Sequence, residues 1–462
     1  MGVETEVVLI YYSLKSFSHN FLASVEQFPW KYLLFLDLHS NMLQGPLPIP
    51  SLTTTFYSIS NNSLTGAIPF SICNVSSLEI LNLSHNNLSG IIPRCWGNSK
   101  KLSVLDLRMN SFHGTIPNTF AKGNDLRNLN INGNKFKGLI PQSLAHCQKL
   151  EVLDLGNNMI KDTFPYWLET LPGLQVLVLR SNRFHGPISS KEKYFFPKLR
   201  IIDLSNNSFT GPLPTRWIEN LVAMMNANES KRETIPKYMG DEYYQDSVMV
   251  TMKGLNIELQ KILTIFITID MSSNRFQGEI PKSIGKLTSL IVLNFSHNNL
   301  TGHILSSLEN LKELESLDLS SNNLTGEIPS QLTSLTFLSF LNFSQNHLVG
   351  HIPQGNQFNT FQSDSYNGNL GLCGAPLLKK CSDDKAPPTL FKEDNDTGLA
   401  SGFKWKAVFI GYGCGMIFGL AIGYLIFLTG KPEWLVRMVE GKHYKKVKKS
   451  RRSAPRRGGR RI

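Results

Sequence analysis

The stretch "LSVLDLRMNSFHGTIP", residues 102–117, places leucines at positions 102, 105 and 107 and an asparagine at position 110. The same order returns in "LEVLDLGNNMIKDTFP" at residues 150–165 and in "LESLDLSSNNLTGEIP" at residues 314–329. Leucine that alternates with other residues is typical of a short strand with one buried face, and the Asn and Pro that follow are typical of a turn. The stretch therefore predicts a strand and a turn, repeated along the chain.

The asparagine of this pattern recurs through most of the chain, usually 24 residues apart. Its positions are Asn41, Asn62, Asn86, Asn110, Asn134, Asn158, Asn182, Asn207, Asn274, Asn298, Asn322 and Asn346. A period of 24 residues with the spacing LxxLxLxxN is that of a leucine-rich repeat. The predicted fold is an α/β solenoid, a leucine-rich-repeat right-handed superhelix with a parallel concave sheet, followed by one transmembrane helix.

Each position of the repeat has an expected role. The leucines point inward and pack on those of neighbouring repeats, while the Asn turns inward to bond backbone groups. The other strand positions face the concave surface, where we expect side chains to have no packing role and to be available for ligand contact. The candidate ligand-binding residues are Asp106, Arg108, Met109, Asn130, Asn132, Val178 and Arg180.

The 67-residue gap between Asn207 and Asn274 contains an insertion at about residues 216–262. Its segment "DSVMVTMKGLNIEL" alternates apolar and polar residues around Lys253 and Gly254, which predicts a β-hairpin. A long insertion in a regular array is often functional.

Cysteines and sequons indicate an extracellular environment. Cys373 and Cys381 are eight residues apart beside the end of the array, and Cys73 and Cys95 are almost one repeat apart, so we predict two disulfides. The candidate glycosylation sites are Asn61, Asn74, Asn82, Asn87, Asn206, Asn228, Asn294, Asn299, Asn323, Asn342 and Asn395.

Residues 407–429 lack charge over 23 positions, which is long enough to cross a bilayer as a helix. The 32 residues from position 431 onward hold 13 Lys and Arg and two Glu, so the C-terminus is expected inside the cell. This tail supplies nearly all of the chain's net charge of +12, which favours lipid contact over nucleic-acid binding. Within the span, Gly411, Gly415, Gly419 and Gly423 form a stripe that favours association with another helix.

The predicted organisation has eight parts. They are an unassigned or partial repeat at 1–30, eight repeats at 31–215, the insertion at 216–262, four repeats at 263–357, a C-terminal cap at 358–381, an acidic stalk at 382–406, the transmembrane helix at 407–429 and a basic cytoplasmic tail at 430–462. The sequence shows no kinase motif and no catalytic, metal-binding or cofactor-binding spacing. We therefore expect no enzymatic activity.

The segments "SICNVSSLEILNLSHNNLSGIIP", "YYQDSVMVTMKG", "SYNGNLGLCGAPL" and "KPEWLVRMVEG" make the chain resemble the plant leucine-rich-repeat receptor-like proteins, with the tomato Cf-type resistance proteins as the nearest likeness. Members of that family carry a signal peptide, an N-terminal cysteine-pair cap and more repeats, so the chain is expected to be an N-terminally truncated member. The resemblance implies a single-pass type I plasma-membrane receptor, with its N-terminus outside the cell and a role in plant defence.

Partners are also implied by the resemblance: adaptor and co-receptor kinases that meet the transmembrane helix and last repeats, and an extracellular peptide, protein or glycan ligand. Three alternatives remain open at this point. They are a developmental receptor of the same architecture, a binding protein similar to cell-wall hydrolase inhibitors, and a fragment that binds nothing.

Overall fold

The computed structural model describes residues 14–24, 31–188, 196–225, 237–240 and 243–381. The predicted stalk, transmembrane helix and basic tail lie outside these ranges, as do the glycine stripe at Gly411, Gly415, Gly419 and Gly423 and the sequons at Asn228 and Asn395. Within the described ranges, no helix combines the length and the apolar character that a membrane crossing requires.

Thirteen short strands pair in parallel to form one large sheet, with one strand from each turn of the chain. Their bounds are Leu14–Ser16, Phe35–Asp37, Phe56–Ser58, Ile80–Asn82, Val104–Asp106, Asn128–Asn130, Val152–Asp154, Val176–Val178, Ile201–Asp203, Thr268–Asp270, Val292–Asn294, Ser316–Asp318 and Phe340–Asn342. The register is constant, since Leu105 pairs with Leu81 on one side and Leu129 on the other. The predicted leucine-rich-repeat solenoid with a parallel sheet is confirmed.

The middle residue of every strand after Leu14–Ser16 points into a continuous core, as Leu81, Leu105 and Leu129 do with at most 2% exposure. A buried leucine stabilises the fold by about 1.5–3 kcal/mol relative to an exposed one, and no single repeat can cover its own leucines. The core is therefore shared between neighbours along the solenoid. A row of buried phenylalanines runs through it, in which Phe209 stacks between Phe184 and Phe276 at 5.8 and 6.1 Å.

The repeating asparagines turn inward and bond backbone groups, as predicted, and together they form a ladder along the solenoid. Asn134 is typical: its Oδ1 accepts the N–H of Phe112 at 2.9 Å, and its Nδ2 donates to the carbonyl oxygens of Leu107 and Ile131 at 3.0 Å. These bonds satisfy buried backbone groups of two adjacent coils. Asn369 makes the same bonds beyond the last predicted repeat, with the N–H of Leu348 and the carbonyls of Phe343 and Tyr366. The ladder thus continues into residues 358–381, the predicted C-terminal cap.

A second series of strands follows the asparagines and forms three smaller parallel sheets. The first contains Gln44–Gly45, Ser63–Ala67, Asn87–Gly90, Ser111–Gly114, Lys135–Gly138 and Met159–Ile160; the second His185–Pro187, Ser208–Gly211, Arg275–Glu279 and Asn299–Thr301; the third Thr325–Gly326, His347–His351 and Gly371–Cys373. Gly114 at φ +88° is needed there, because an added Cβ would lie 3.0 Å from the side chain of Ile91. The first sheet ends at the repeat where Asp162 replaces this glycine.

The segments that return to the next strand hold single helical turns. Their 3-10 helices are Phe70–Asn74, Gln142–His146, Tyr166–Thr170, Lys282–Lys286, Ser306–Asn310, Ser330–Ser334, Asn356–Thr360 and Ser363–Ser365, and their α-helices are Cys95–Asn98, Thr215–Ile218 and Val222–Met225. The α/β class implies longer helices than these. A repeat of 24 residues leaves room for only one turn between the proline and the next strand.

Both predicted disulfides are present. Cys73–Cys95 joins neighbouring coils, and Cys373–Cys381 closes an eight-residue loop in the predicted C-terminal cap. Cys147 is a buried free thiol that accepts a hydrogen bond from Asn124 Nδ2 at 3.3 Å, and burial raises the pKa of this thiol to about 11.

Candidate functional site

The insertion lies against the outward face of the large sheet, the face that a leucine-rich-repeat solenoid makes concave. The hydroxyl of Tyr244 donates to Asp106 Oδ2 at 2.8 Å. Two residues further, the carboxylate of Asp246 accepts from Arg127 at 2.6 Å and from Asn128 at 2.5 Å. Asp246 is fully buried, so the insertion anchors to the strands through desolvated polar groups.

The predicted hairpin is confirmed. Strands Val248–Met252 and Leu255–Leu259 pair in antiparallel fashion, and the turn residues Lys253 and Gly254 have φ of 55° and 75°. Positive φ at both central residues is the geometry of a tight two-residue hairpin turn. The tip reaches the last repeats, where Lys253 Nζ lies 3.3 Å from Glu315 Oε2.

An apolar cluster fixes the base of the hairpin. Val248 and Val250 pack with Met239 and Ile262 of the insertion. Their partners on the sheet are outward-facing residues of successive strands, namely Val152, Val176, Val178 and Ile201. Aliphatic residues at outward strand positions are the signal in the sequence that another segment covers this part of the face.

Two arginines bind the polar side of the hairpin. Arg108 lies 3.5 Å from Asp106 and 3.4 Å from Glu258, and it donates to the hydroxyl of Ser247. Arg180 donates to Thr251 at 3.3 Å and Asn256 at 3.1 Å. The insertion is therefore held on one flank by apolar contact and on the other by arginines.

The expectation that the candidate strand residues have no packing role is wrong for most of them. Asp106, Asn130, Asn132 and Val178 are buried, and Arg108 and Arg180 bond to the insertion. Met109 alone of the seven is a clearly exposed side chain, at 50%. The physical reason is that the insertion folds back over residues more than 70 positions away, which a repeat pattern does not reveal.

A groove of about 660 Å³ remains open between the insertion and the first repeats. Its lining is mostly polar and comprises His19, Asp37, His39, Ser40, Phe56, Ser58, Ser60, Asn61, Asn82, Ser84, His85, Arg108, Tyr243, Tyr244, Gln245, Ser247, Glu258, Gln260 and Lys261. Tyr243 is 67% exposed, and its ring lies 6.1 Å from that of Phe35. The groove thus combines hydroxyl and amide groups with charged residues and an aromatic wall.

Buried carboxylates occupy the third position of several strands of the large sheet. Asp203 and Asp270 are adjacent in the sheet register at the point where the insertion leaves the array. Burial, and then the charge of Asp203, raise the pKa of Asp270 to about 7. Burial likewise raises the pKa of Asp154 to about 6, although bonds from Asn132 and Gly156 oppose the shift. Burial and the neighbouring Arg108 lower the pKa of His85 in the groove.

The sequons differ in accessibility. Asn61, Asn74, Asn87, Asn206, Asn299 and Asn323 are exposed. Asn82 and Asn342 are half-buried. Asn294 is 8% exposed, with its Oδ1 accepting the N–H of Ser296 at 3.0 Å. Glycosylation of each stays a prediction, and Asn294 is the position least accessible to a glycan.

Comparison with known proteins agrees with the repeats. A family profile described as leucine rich repeat matches residues 58–112, 124–184 and 268–324, and a second of the same kind matches residues 198–219. Among solved structures, a TDR receptor superposes with a TM-score of 0.59 at 27% identity, covering 78% of this chain and 52% of that one. The Arabidopsis receptor kinase HAESA, in complex with the peptide hormone IDA and the co-receptor SERK1, gives 0.51 at 27% identity, covering 78% and 61%.

Curated relatives are more similar in sequence. Receptor-like protein 34 of Arabidopsis thaliana is 55% identical over 264 residues, which is 56% of this chain and 27% of the relative. Receptor like protein 22 of the same plant is 54% identical over 264 residues, or 56% and 34%. The match spans about a third or less of the length of these relatives. The narrower likeness to the Cf-type proteins stays a prediction. By its repeats and its solenoid the chain is a leucine-rich-repeat protein, and over 56% of its length it is similar to plant receptor-like proteins.

Proposed function

We propose that this chain is a non-enzymatic cell-surface receptor-like protein that binds an extracellular ligand in the groove between the insertion and the first repeats. The observation that carries the proposal is the insertion itself. It covers much of the outward face with buried contacts, yet leaves a polar groove of about 660 Å³ beside Tyr243 and Lys261. A cleft with an aromatic wall and convergent polar groups is the usual form of a binding site.

The candidate strand residues take two roles in this proposal. Arg108 and Met109 are proposed to contact ligand, since Arg108 lines the groove and Met109 is exposed. The other five, Asp106, Asn130, Asn132, Val178 and Arg180, are proposed to support binding by positioning the insertion and the strands beneath it. The similar ectodomain of HAESA binds a peptide hormone, and we propose a peptide, protein or glycan ligand here.

The test uses charge and ring changes in the groove. Tyr243→Ala and Lys261→Glu remove the aromatic wall and reverse a charge, while Lys122→Glu makes the same reversal at an exposed position outside the groove lining. Leaf cells that produce each variant would be treated with filtrates of pathogen cultures, before and after digestion with protease or glycosidase. We expect calcium influx with the wild type and Lys122→Glu, and at least a tenfold weaker dose–response with both groove variants.

Equal responses from all variants at equal surface levels would remove the groove from the proposal. Loss of the response after protease or glycosidase treatment would identify the ligand as peptide or glycan. A defence role is the specific form that the family resemblance suggests, and a response to pathogen filtrates is the result that separates it from a developmental role.

Signal transfer is proposed to occur through a partner receptor kinase in the plasma membrane, with adaptor and co-receptor kinases meeting the last repeats and residues 407–429. In the predicted transmembrane helix, the spacing of four residues puts Gly411, Gly415, Gly419 and Gly423 on one face, where small residues allow close helix approach. Gly415→Leu with Gly419→Leu should abolish co-purification of the kinase, while Ala421→Leu on another face should not. Wild-type recovery of the kinase with the double variant would move the contact to the stalk or the last repeats.

A further inference from the structure

Two histidines face each other at the N-terminal end of the large sheet. His19 follows the first strand and His39 the second, and their Nε2 atoms lie 2.9 Å apart. The ring planes are nearly perpendicular, at 84°. Both side chains line the open groove, so the space beside the two nitrogens is accessible from solution.

A carboxylate orients one of the rings. Asp37 Oδ1 lies 2.8 Å from His39 Nδ1 and also accepts the backbone N–H of His39 at 3.1 Å. Because a carboxylate accepts, Nδ1 of His39 carries the proton and its Nε2 presents a lone pair. In many metal sites, a carboxylate that binds one ring nitrogen of a histidine orients the other nitrogen toward the metal. Asp37 and His39 have this arrangement.

The distance between the ring centres shows whether the two rings point straight at each other or toward a shared point beside them. A straight N–H···N bond of this length would separate the ring centres by about 5.2 Å, because each nitrogen lies about 1.15 Å from its own ring centre. The observed separation is 4.5 Å, so the ring axes are bent away from the line between the nitrogens. Two nitrogens at about 2.0–2.1 Å from one ion, in neighbouring coordination positions, would lie about 2.9 Å apart with ring axes bent by a similar amount.

We propose that His19 and His39 bind one divalent transition-metal ion through their Nε2 atoms, with Asp37 as the residue that orients His39. Cu²⁺ is expected to bind more tightly than Zn²⁺, both from the general order of affinities and because neighbouring positions at right angles suit copper. The remaining positions belong to water on the groove side. The ion links residues 14–24 to the next repeat and stabilises the end of the sheet. This inference does not depend on the proposed receptor function.

Sequence spacing does not reveal this site, since the two histidines are 20 residues apart and occupy different positions of their repeats. They meet because parallel pairing of Leu14–Ser16 with Phe35–Asp37 places consecutive coils side by side. Among the residues that the structure describes, no three His, Cys, Asp or Glu side chains gather to hold a metal ion. The proposal therefore concerns a site with two protein ligands.

The experiment titrates the untagged full chain, in detergent micelles, with Cu²⁺ and then with Zn²⁺, using calorimetry and copper electron paramagnetic resonance. The variants are His19→Gln, His39→Gln and Asp37→Asn. His85→Gln is the matched control, because His85 lines the same groove and is not paired with either ring. Thermal unfolding without metal shows whether each variant folds.

We expect one Cu²⁺ per chain with two imidazole nitrogens in the resonance spectrum. His19→Gln and His39→Gln should each weaken binding at least tenfold and leave one nitrogen or none, while His85→Gln should match the wild type. Asp37→Asn should weaken binding about 10–100-fold, as losses of an orienting carboxylate do at other sites. Unchanged affinity and spectrum in both His19→Gln and His39→Gln, or loss of the same signal in His85→Gln, would overturn the assignment. Absence of binding by the wild type would reduce the pair to a hydrogen bond.

Discussion

In the repeat array, Asn134 bonds to backbone groups of its own coil and the coil before it, at most 27 residues away. In the insertion, Asp246 bonds to the side chains of Arg127 and Asn128, which precede it by 119 and 118 residues. The array is therefore stabilised by the same contact made many times between sequence neighbours. The insertion is stabilised by a few contacts, each made once, between distant residues.

This difference has an energetic consequence. A lost contact in the array is shared by neighbouring coils, because stability in a solenoid comes from interfaces between repeats. A lost contact in the insertion has no equivalent elsewhere and leaves a buried charge without its partner. Damage to the array should lower the stability of the whole domain, and damage to the insertion should release one segment from an intact sheet.

The largest effect is expected at the core of the array. Phe209→Ala removes a fully buried ring that stacks between Phe184 and Phe276, on either side of the point where the insertion leaves. The loss should be about 4 kcal/mol in the free energy of unfolding. Urea unfolding followed by tryptophan fluorescence measures it, with Trp217 buried nearby as a reporter. Phe70→Ala, at a ring that is 79% exposed, is the control and should change stability by less than about 0.5 kcal/mol.

The next effect tests the insertion. Asp246→Ala removes the 2.6 Å partner of the Arg127 guanidinium, which is 16% exposed and lies 3.8 Å from Glu151, and this should cost about 3 kcal/mol locally. Limited proteolysis should then cut within residues 243–264 at least tenfold faster, while the urea midpoint of the array changes little. Asp246→Asn keeps hydrogen-bonding groups, so its cleavage rate should lie between those of the wild type and Asp246→Ala. A lowered urea midpoint with no new cleavage would show that insertion and array unfold as one unit.

Measuring stability at a series of pH values tests the buried carboxylates of the large sheet. The pKa of Asp270 is raised to about 7 and that of Asp154 to about 6, above the value near 3.8 of an exposed aspartate. The folded state therefore holds more protons than the unfolded state between these values, and stability falls as pH rises from about 4 to about 7.

The expected loss between pH 5.5 and pH 7 is on the order of 2 kcal/mol, measured as a shift of the urea midpoint. Asp270→Asn should remove most of this dependence, because the amide does not ionise. A midpoint that rises with pH in the wild type would contradict the raised pKa values.

The smallest effect is expected at an exposed ion pair that is as short as the Arg127–Asp246 pair. Lys149 Nζ lies 2.6 Å from Asp125, as Arg127 does from Asp246, but these side chains are 67% and 47% exposed. Solvent screens the exposed pair, so Lys149→Ala should cost less than about 1 kcal/mol in urea unfolding. A loss equal to that of Asp246→Ala would mean that distance, and not burial, determines the strength of these pairs.

Much of the fold follows from local pattern. The spacing of Leu105, Leu107 and Asn110 predicts the parallel sheet and the ladder, and the disulfides and the hairpin turn at Lys253 follow from short spacings as well. The return segments were less predictable, since single 3-10 turns and the break at Asp162 depend on how adjacent coils fit.

The candidate site depends on tertiary structure. The sequence by itself determined which positions face outward, because strand residues alternate and the leucines must be inside. Only the folded chain decided that Asp106 and Arg180 are covered, that a groove remains beside Tyr243, and that His19 meets His39. The physical reason is that repeat contacts recur at one sequence spacing and leave a periodic record. The hydrogen bonds that residues 244–256 make to the array occur once, at separations from 63 to 139 residues, and leave no such record.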